Sequence, residues 1–241
     1  MKNTSVSGCQ NDSTPRCSIT MEGVQARQRG AYDFETYYDN VCSLSNSYPL
    51  SAVKAHLPQG ILDLNADRIR LNDWKPLLST LSINKSLEFI VFTSSYIPPS
   101  TDEKKKKDKT GTKRHKPAIA SKEIKDQLCN ALQQCLSVTP ALACLRLQGI
   151  AFKESSINYI AKGLNKNLSL SYFCLAHCKI GDNGLQTIGR AIKNNMSLNA
   201  INLVGCNLSW KGADILAKII KVSLATFSYH LLLLLMGSCF Y

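Results

Sequence analysis

The segment CLAHC brings Cys174, His177 and Cys178 within five residues, three side chains that can each donate an electron pair to a metal ion. Zinc takes four such ligands in a tetrahedron, and no C-x-x-C or H-x-x-x-H pair elsewhere supplies the missing half. In a strand that runs into a turn, Cys174 and Cys178 point to different sides, so they read as structural thiols rather than ligands. Asp63 and Glu88 form the other constellation, two carboxylates on neighbouring predicted strands that could share acid and base work. Their positions within the strands do not correspond, and a solvated carboxylate on a binding surface is the simpler reading. No nucleophile motif, phosphate loop or H-E-x-x-H signature is present, so the expectation is no enzyme, no metal and no cofactor.

What would position these groups is a repeat. In NAINLVGCNLSWKGADILAKIIK, Ile201 and Leu203 stand two apart, Gly205 interrupts, and Ala213, Leu216, Ala217 and Ile220 follow at helical spacing. Alternate residues of a strand share a face, and helix positions three and four apart share a stripe, so the unit reads as strand, turn, helix. The same unit occurs twice upstream. Leu170, Phe173, Leu175, Cys178 and Ile180 lead into Leu185, Ile188, Gly189 and Ile192, while Leu142, Leu145, Leu147, Ile150 and Phe152 lead into Ile157, Ile160, Ala161 and Leu164. Leu142, Leu170 and Leu198 are 28 residues apart, a leucine-rich-repeat length with the L-x-x-L-x-L-x-x-C/N-x-L strand signature.

A degenerate copy starts the series, with Leu62, Leu64, Asp67 and Ile69 in strand positions and Trp74, Leu77, Leu78 and Leu81 on the helix. The next has Leu87, Ile90 and Phe92 in its strand and defers its helix to Ile124, Leu128, Cys129, Leu132 and Cys135. Leu87 and Leu142 are 55 residues apart, one repeat plus an insertion of 27. Units that each expose one apolar face must stack to bury it, so the expected fold class is α/β: a leucine-rich repeat solenoid of five repeats. Ahead of it, Phe34, Tyr37, Tyr38, Val41 and Leu44 fall at helical spacing, and PLSAVKAHLPQG offers a short second helix closed by Pro58 and Gly60.

The expected organisation is therefore a disordered segment over 1–30, a helical cap over 31–60, a solenoid over 61–221 with a basic insertion at 94–121, and an apolar tail over 222–241. The first segment is rich in Ser, Thr, Asn and Gln without periodicity. With 241 residues, 44% of them hydrophobic, the chain can bury a sizeable core. The tail VSLATFSYHLLLLLMGSCFY holds no Asp, Glu, Lys or Arg, but Ser223, Thr226, Ser228 and His230 dilute it, which disfavours a membrane span. It reads as an atypical end that leaves the last repeat uncapped.

The net charge of +12 is uneven. Between Thr101 and Lys116, the cations Lys104, Lys105, Lys106, Lys107, Lys109, Lys113, Arg114 and Lys116 face only Asp102, Glu103 and Asp108, a net +5. Such a loop suits nucleic acid, an acidic protein, a membrane surface or nuclear import, and the bland reading is a solvated insertion without a partner. No aromatic residue interleaves the lysines, which disfavours stacking on single strands. The alternative function attached to this loop is that of a basic nucleic-acid-associated or nuclear protein.

The ten cysteines do not form a secreted disulfide framework. Cys178 and Cys206 occupy the C/N position of the repeat, and Cys129 and Cys135 lie on a predicted helix as small hydrophobes. No basic segment followed by an apolar one opens the chain, so a reducing compartment is expected and the six N-x-S/T sequons carry no meaning for glycosylation. What the repeats do supply is a concave strand face lined by Asp63, Asn65, Val91, Thr93, Arg146, Gln148, Cys174, Ala176, Asn202 and Val204. It is mostly small and uncharged, suited to a folded partner or a helix rather than to a polyanion or a small-molecule substrate.

Within this register a resemblance becomes specific. DFETYYDNVCSLSNSYPLSAVKAHLPQGILDLNADRIRLNDWKPLLSTLSINKSL, IAKGLNKNLSL and GCNLSWKGADILAKIIK resemble the N-terminal region of the centrosomal protein of 78 kDa family, from about Asp33 to Lys221. The most telling pieces, LDLNADRIR, DWKPLLSTLSINK and CNLSWKGAD, are not required by ordinary leucine-rich repeats. The resemblance implies ribonuclease-inhibitor-like repeats and residence in the cytoplasm at the centrosome, centriole and cilium basal body. It further implies a scaffold role in cilium assembly, and centrosomal proteins as partners, among them a subunit of a ubiquitin ligase that the family helps to regulate. The family has further repeats and a coiled coil where this chain has its tail, so the expectation is a truncated or alternatively spliced form.

Overall fold

The computed structural model describes residues 16–97, 116–193, 195–225 and 232–234. Helices α1 (Arg16–Gly30), α2 (Phe34–Leu44) and α3 (Ser51–Lys54) come first. Strand and helix then alternate: β1 (Ile61–Asn65), α4 (Leu71–Ile83), β2 (Phe89–Thr93), α5 (Lys122–Val138), β3 (Cys144–Gln148), α6 (Glu154–Leu164), β4 (Tyr172–Cys174), α7 (Gly181–Ile192), β5 (Ala200–Asn202), α8 (Trp210–Ala225) and β6 (Leu232–Leu234). All strands are parallel and adjacent in chain order, β1-β2-β3-β4-β5-β6. Helices α4 to α8 stack in the same order.

The register follows the sequence period. Cys144 pairs with Tyr172, and Tyr172 with Ala200, each step one repeat along the chain. Phe89 pairs directly with Cys144, so the insertion leaves the sheet register untouched. Alternation then does the sorting: Leu62 and Leu64, Ile90 and Phe92, Leu145 and Leu147, Phe173 and Leu175, Ile201 and Leu203 are each 2% exposed or less. They share one core with the apolar stripes of the helices, including Trp74, Leu128, Leu132, Ile160, Leu164 and Ile188. Helices therefore cover one sheet face, and the in-between residues form the other. Trp74 stacks on Phe92 with ring centroids 6.0 Å apart, joining the first two units.

Two columns of polar groups tie the units together where strand geometry ends. At the C/N position, the Cys178 thiol donates to the Leu147 carbonyl and the Cys206 thiol to the Leu175 carbonyl, both at 3.0 Å. At the helix-to-strand turn, Asn84, Asn167 and Asn195 each accept a bond from the backbone N–H three residues on, at Leu87, Leu170 and Leu198. Asn167 also donates to the Leu136 carbonyl of the preceding unit at 2.9 Å. The unit with the insertion has Thr139 at this turn, and there the Cys135 thiol reaches back to the Asn84 carbonyl at 3.6 Å.

Helix starts and stops have local causes. The Ser121 hydroxyl accepts from the Ile124 N–H and opens α5, the helix deferred by the insertion. Asp33 does the same for α2 through the Thr36 N–H. Gly60 ends the cap at φ +72°, a backbone that favours glycine, and feeds β1.

Several details depart from the sequence reading. Disorder is expected through residue 30, yet Arg16–Gly30 is helical; the helix packs on α2 and α4 near Gly30 and Ala31, both buried, and lacks the apolar stripe that periodicity detects. Leu44, expected on the buried stripe of α2, is 86% exposed because the helix ends there. Ala217 is exposed as well. The apolar tail adds a sixth parallel strand, with Ala200 paired to Leu232 and Asn202 to Leu234, so β5 is not the edge of the sheet. No helix among the described residues is long and apolar enough to cross a membrane.

Candidate functional site

The sheet face that the helices leave uncovered is ordered into rows by the parallel register. One row runs Asp63, Val91, Arg146, Cys174, Asn202 across five strands. A second runs Asn65, Thr93, Gln148 and continues in the following units at Ala176 and Val204, one and two periods on. Eight of these ten residues offer surface: Asp63, Asn65 and Arg146 are exposed, and Val91, Thr93, Gln148, Asn202 and Val204 half-buried. Cys174 and Ala176 do not. At 2% and 7% exposed, they are covered positions in the middle of the face.

A third row lies on the same face and was not among the predicted site residues: Ile61, Phe89, Cys144, Tyr172, Ala200. Its signal is in the alternation, two residues before each member of the first row. It matters because it contributes aromatic rings, Phe89 at 39% exposed and Tyr172 half-buried, in the row next to the one that holds Arg146. Aromatic and arginine side chains are the residue types that most often anchor an interface. Arg146 is the one lysine or arginine in the three rows.

The chemistry of the remaining constellations follows from their placement. Phe173 and Leu175 are in the core, so Cys174, between them, faces the opposite side of β4, whereas the Cys178 thiol is bonded within the core to Leu147. Burial pushes the Cys178 thiol well up from its ordinary value, which leaves it protonated. His177 is exposed and sits at φ +59°, its N–H donating to the Val204 carbonyl at 2.7 Å. Asp63 lies opposite Val91, whereas Glu88 falls just ahead of β2, three residues earlier, so the two carboxylates are offset.

Of the basic loop residues, Lys104, Lys105, Lys106, Lys107, Lys109, Lys113 and Arg114 lie outside the described residues, and Lys116 is exposed. At the foot of the insertion, burial and the nearby charges of Lys153 and Lys116 push the Lys125 ammonium down from its ordinary value, while it donates to the Ala151 carbonyl at 2.9 Å. Among the described residues, Lys116, Lys125 and Lys153 thus gather at the foot of the insertion.

No protein-family model matches this chain. Individual relatives do. The chain is 45% identical over 172 residues to the human centrosomal protein of 78 kDa, a match that takes in 69% of this chain and 24% of that protein. It is 43% identical over 170 residues to the mouse protein of the same name, covering 69% and 22%. The Drosophila melanogaster Cep78 homolog is 26% identical over 161 residues, covering 64% and 19%. The chain thus spans about a quarter of the length of the mammalian relatives it matches. The matches extend over most of the alternating strands and helices described above, and this repeat array belongs to the centrosomal protein of 78 kDa family.

Proposed function

We propose that the chain is a leucine-rich repeat solenoid of the ribonuclease-inhibitor type that acts as a non-enzymatic interaction scaffold at the centrosome, centriole and cilium basal body. In this reading it holds centrosomal proteins on its strand face, supports cilium assembly and bears on a centrosomal ubiquitin ligase through one of that enzyme's subunits. The observation that carries it is the uncovered strand face, where strict register lines up Asp63, Val91 and Arg146 beside Phe89 and Tyr172. A rigid face with aromatic and arginine anchors, a polar rim and a single cation fits a folded protein or a helix. A polyanion would need clustered lysine and arginine, which these rows lack. Names of relatives support the place, and the relatives' length beyond the match leaves the whole protein's partners to this proposal.

Arg146→Glu combined with Gln148→Glu tests it. Both side chains leave the core untouched, so the variant should fold with an unchanged circular dichroism spectrum and should lose centrosomal partners in a pull-down from centrosome-enriched fractions. Full retention of those partners would move the docking site off this face.

A further inference from the structure

The helical side of the array carries a second feature that the strand face does not explain. Between α7 and α8 lies a groove of about 280 Å³, lined chiefly by Gly189, Ile215 and Ile219 below and by Arg190, Lys193 and Lys218 around the rim. Gly189 shapes it: a Cβ there would come within 2.5 Å of the Ile219 side chain, so the glycine lets α8 approach α7 while leaving a depression above the two isoleucines. Ile215 and Ile219 are half-buried, packed against the core with an apolar edge still facing water. On the rim, Lys218 is paired to Asp214 at 2.6 Å, whereas neither Arg190 nor Lys193 forms an ion pair among the described residues.

We propose that this groove is a docking site for an acidic amphipathic helix of a partner protein. An apolar stripe at i, i+3, i+4 and i+7 is the form that fills a groove between two helices. The two unpaired cations select the sign of the flanks: glutamates or aspartates beside the stripe meet Arg190 and Lys193, whereas a basic helix meets repulsion. The groove is on the helix layer and the three rows are on the opposite sheet face, so both can be occupied at once and the proposal does not depend on what binds the rows.

The test uses the full chain and a fluorescein-labelled synthetic helix of about 20 residues built from leucine, alanine and glutamate with leucines at that spacing. Fluorescence anisotropy should show saturable binding that weakens with salt. Arg190→Glu with Lys193→Glu, both on the surface, should weaken it about tenfold or more. A chain with Lys104 to Lys107 changed to serine should bind as tightly as the parent, and a lysine version of the peptide should not bind. Undiminished binding by the Arg190→Glu, Lys193→Glu chain, equal binding of the lysine peptide, or loss of binding on changing the loop would each overturn the proposal. So would a concentration-dependent dimer in sedimentation equilibrium that the same double variant abolishes, since the occupant would then be a second copy.

Discussion

Asn195 donates its side-chain amide to the Asn167 carbonyl at 2.9 Å and to the Leu164 carbonyl at 3.1 Å, while its own side-chain oxygen accepts from the Leu198 N–H at 2.9 Å. Asn167 repeats the arrangement one unit earlier, so each asparagine closes its own turn and grips the turn before it. An array whose units contact mainly their neighbours depends on such joints.

Asn167→Ala removes the acceptor for the Ser169 and Leu170 N–H groups and the donor for the Leu136 carbonyl, the bonds to Leu170 and Leu136 being buried. The expected loss is about 2–3 kcal/mol, the cost of leaving buried backbone groups unpaired. Asn195→Ala, at a half-buried site, should cost less. Urea unfolding followed by circular dichroism checks both, and an Asn167→Ala midpoint equal to the parent's would show that the ladder carries no stability.

Gly163→Ala should also destabilise, although alanine is the better helix former by about 1 kcal/mol. The added Cβ would lie 2.9 Å from the Leu136 Cβ and 3.0 Å from the Gln133 Cα, so α5 and α6 must separate. Overpacking of this kind costs about 1–3 kcal/mol and outweighs the propensity gain. Thermal melting of the variant decides the sign.

Thiol reactivity should follow burial. Burial pushes the Cys135 thiol up to about 12 and the Cys129 and Cys178 thiols strongly upward, so none supplies thiolate at neutral pH. Cys144, half-buried on the strand face, is also raised by burial but has the Arg146 charge beside it to oppose the shift. Alkylation with iodoacetamide at pH 8 and peptide mapping should modify Cys144 about ten times faster or more than Cys135 in the native chain, with the difference vanishing in urea.

Asp182 links the last two full units and predicts an acid limb. Its carboxylate accepts from the Ser209 hydroxyl at 2.5 Å and from the Ser209 N–H at 2.9 Å, and these bonds hold its pKa below the ordinary aspartate value. A depressed folded-state value contributes stability that is present above the unfolded pKa, near 3.8, and is lost as pH falls through the folded one. Asp182→Asn should therefore lower the melting temperature at pH 7 and narrow the drop between pH 7 and pH 3 relative to the parent. An identical pH profile in the two proteins would show that the carboxylate is not linked to folding.

Period two and period 3.6 made the core legible. Leu62, Ile90, Leu145, Phe173 and Ile201 are buried where alternation puts them, and a simple offset finds β3 across the insertion. The asparagine ladder was present in the sequence as N-K-S-L, N-L-S-L and N-M-S-L, three of the sequons set aside as meaningless, but spacing of apolar residues carries no information about polar turns. Phe89 and Tyr172 lie one core position earlier than the predicted face, which took only the residues on either side of the next one, such as Val91 and Thr93 around Phe92. The covering of Cys174 and Ala176 depends on tertiary packing, which a repeat template places on the face without weighing. Helix α1 has no apolar stripe, and β6 lies in a continuous apolar run where length and periodicity do not distinguish strand from other structure.

The most direct measurement images the tagged full chain beside a centriole marker in ciliated cells, as the parent and as Arg146→Glu, Gln148→Glu at matched expression and melting temperature. Centriolar foci are expected for the parent and a diffuse signal for the variant. Foci of equal intensity for both would contradict docking through the strand face, and a diffuse parent would contradict the proposal that these repeats work at the centrosome.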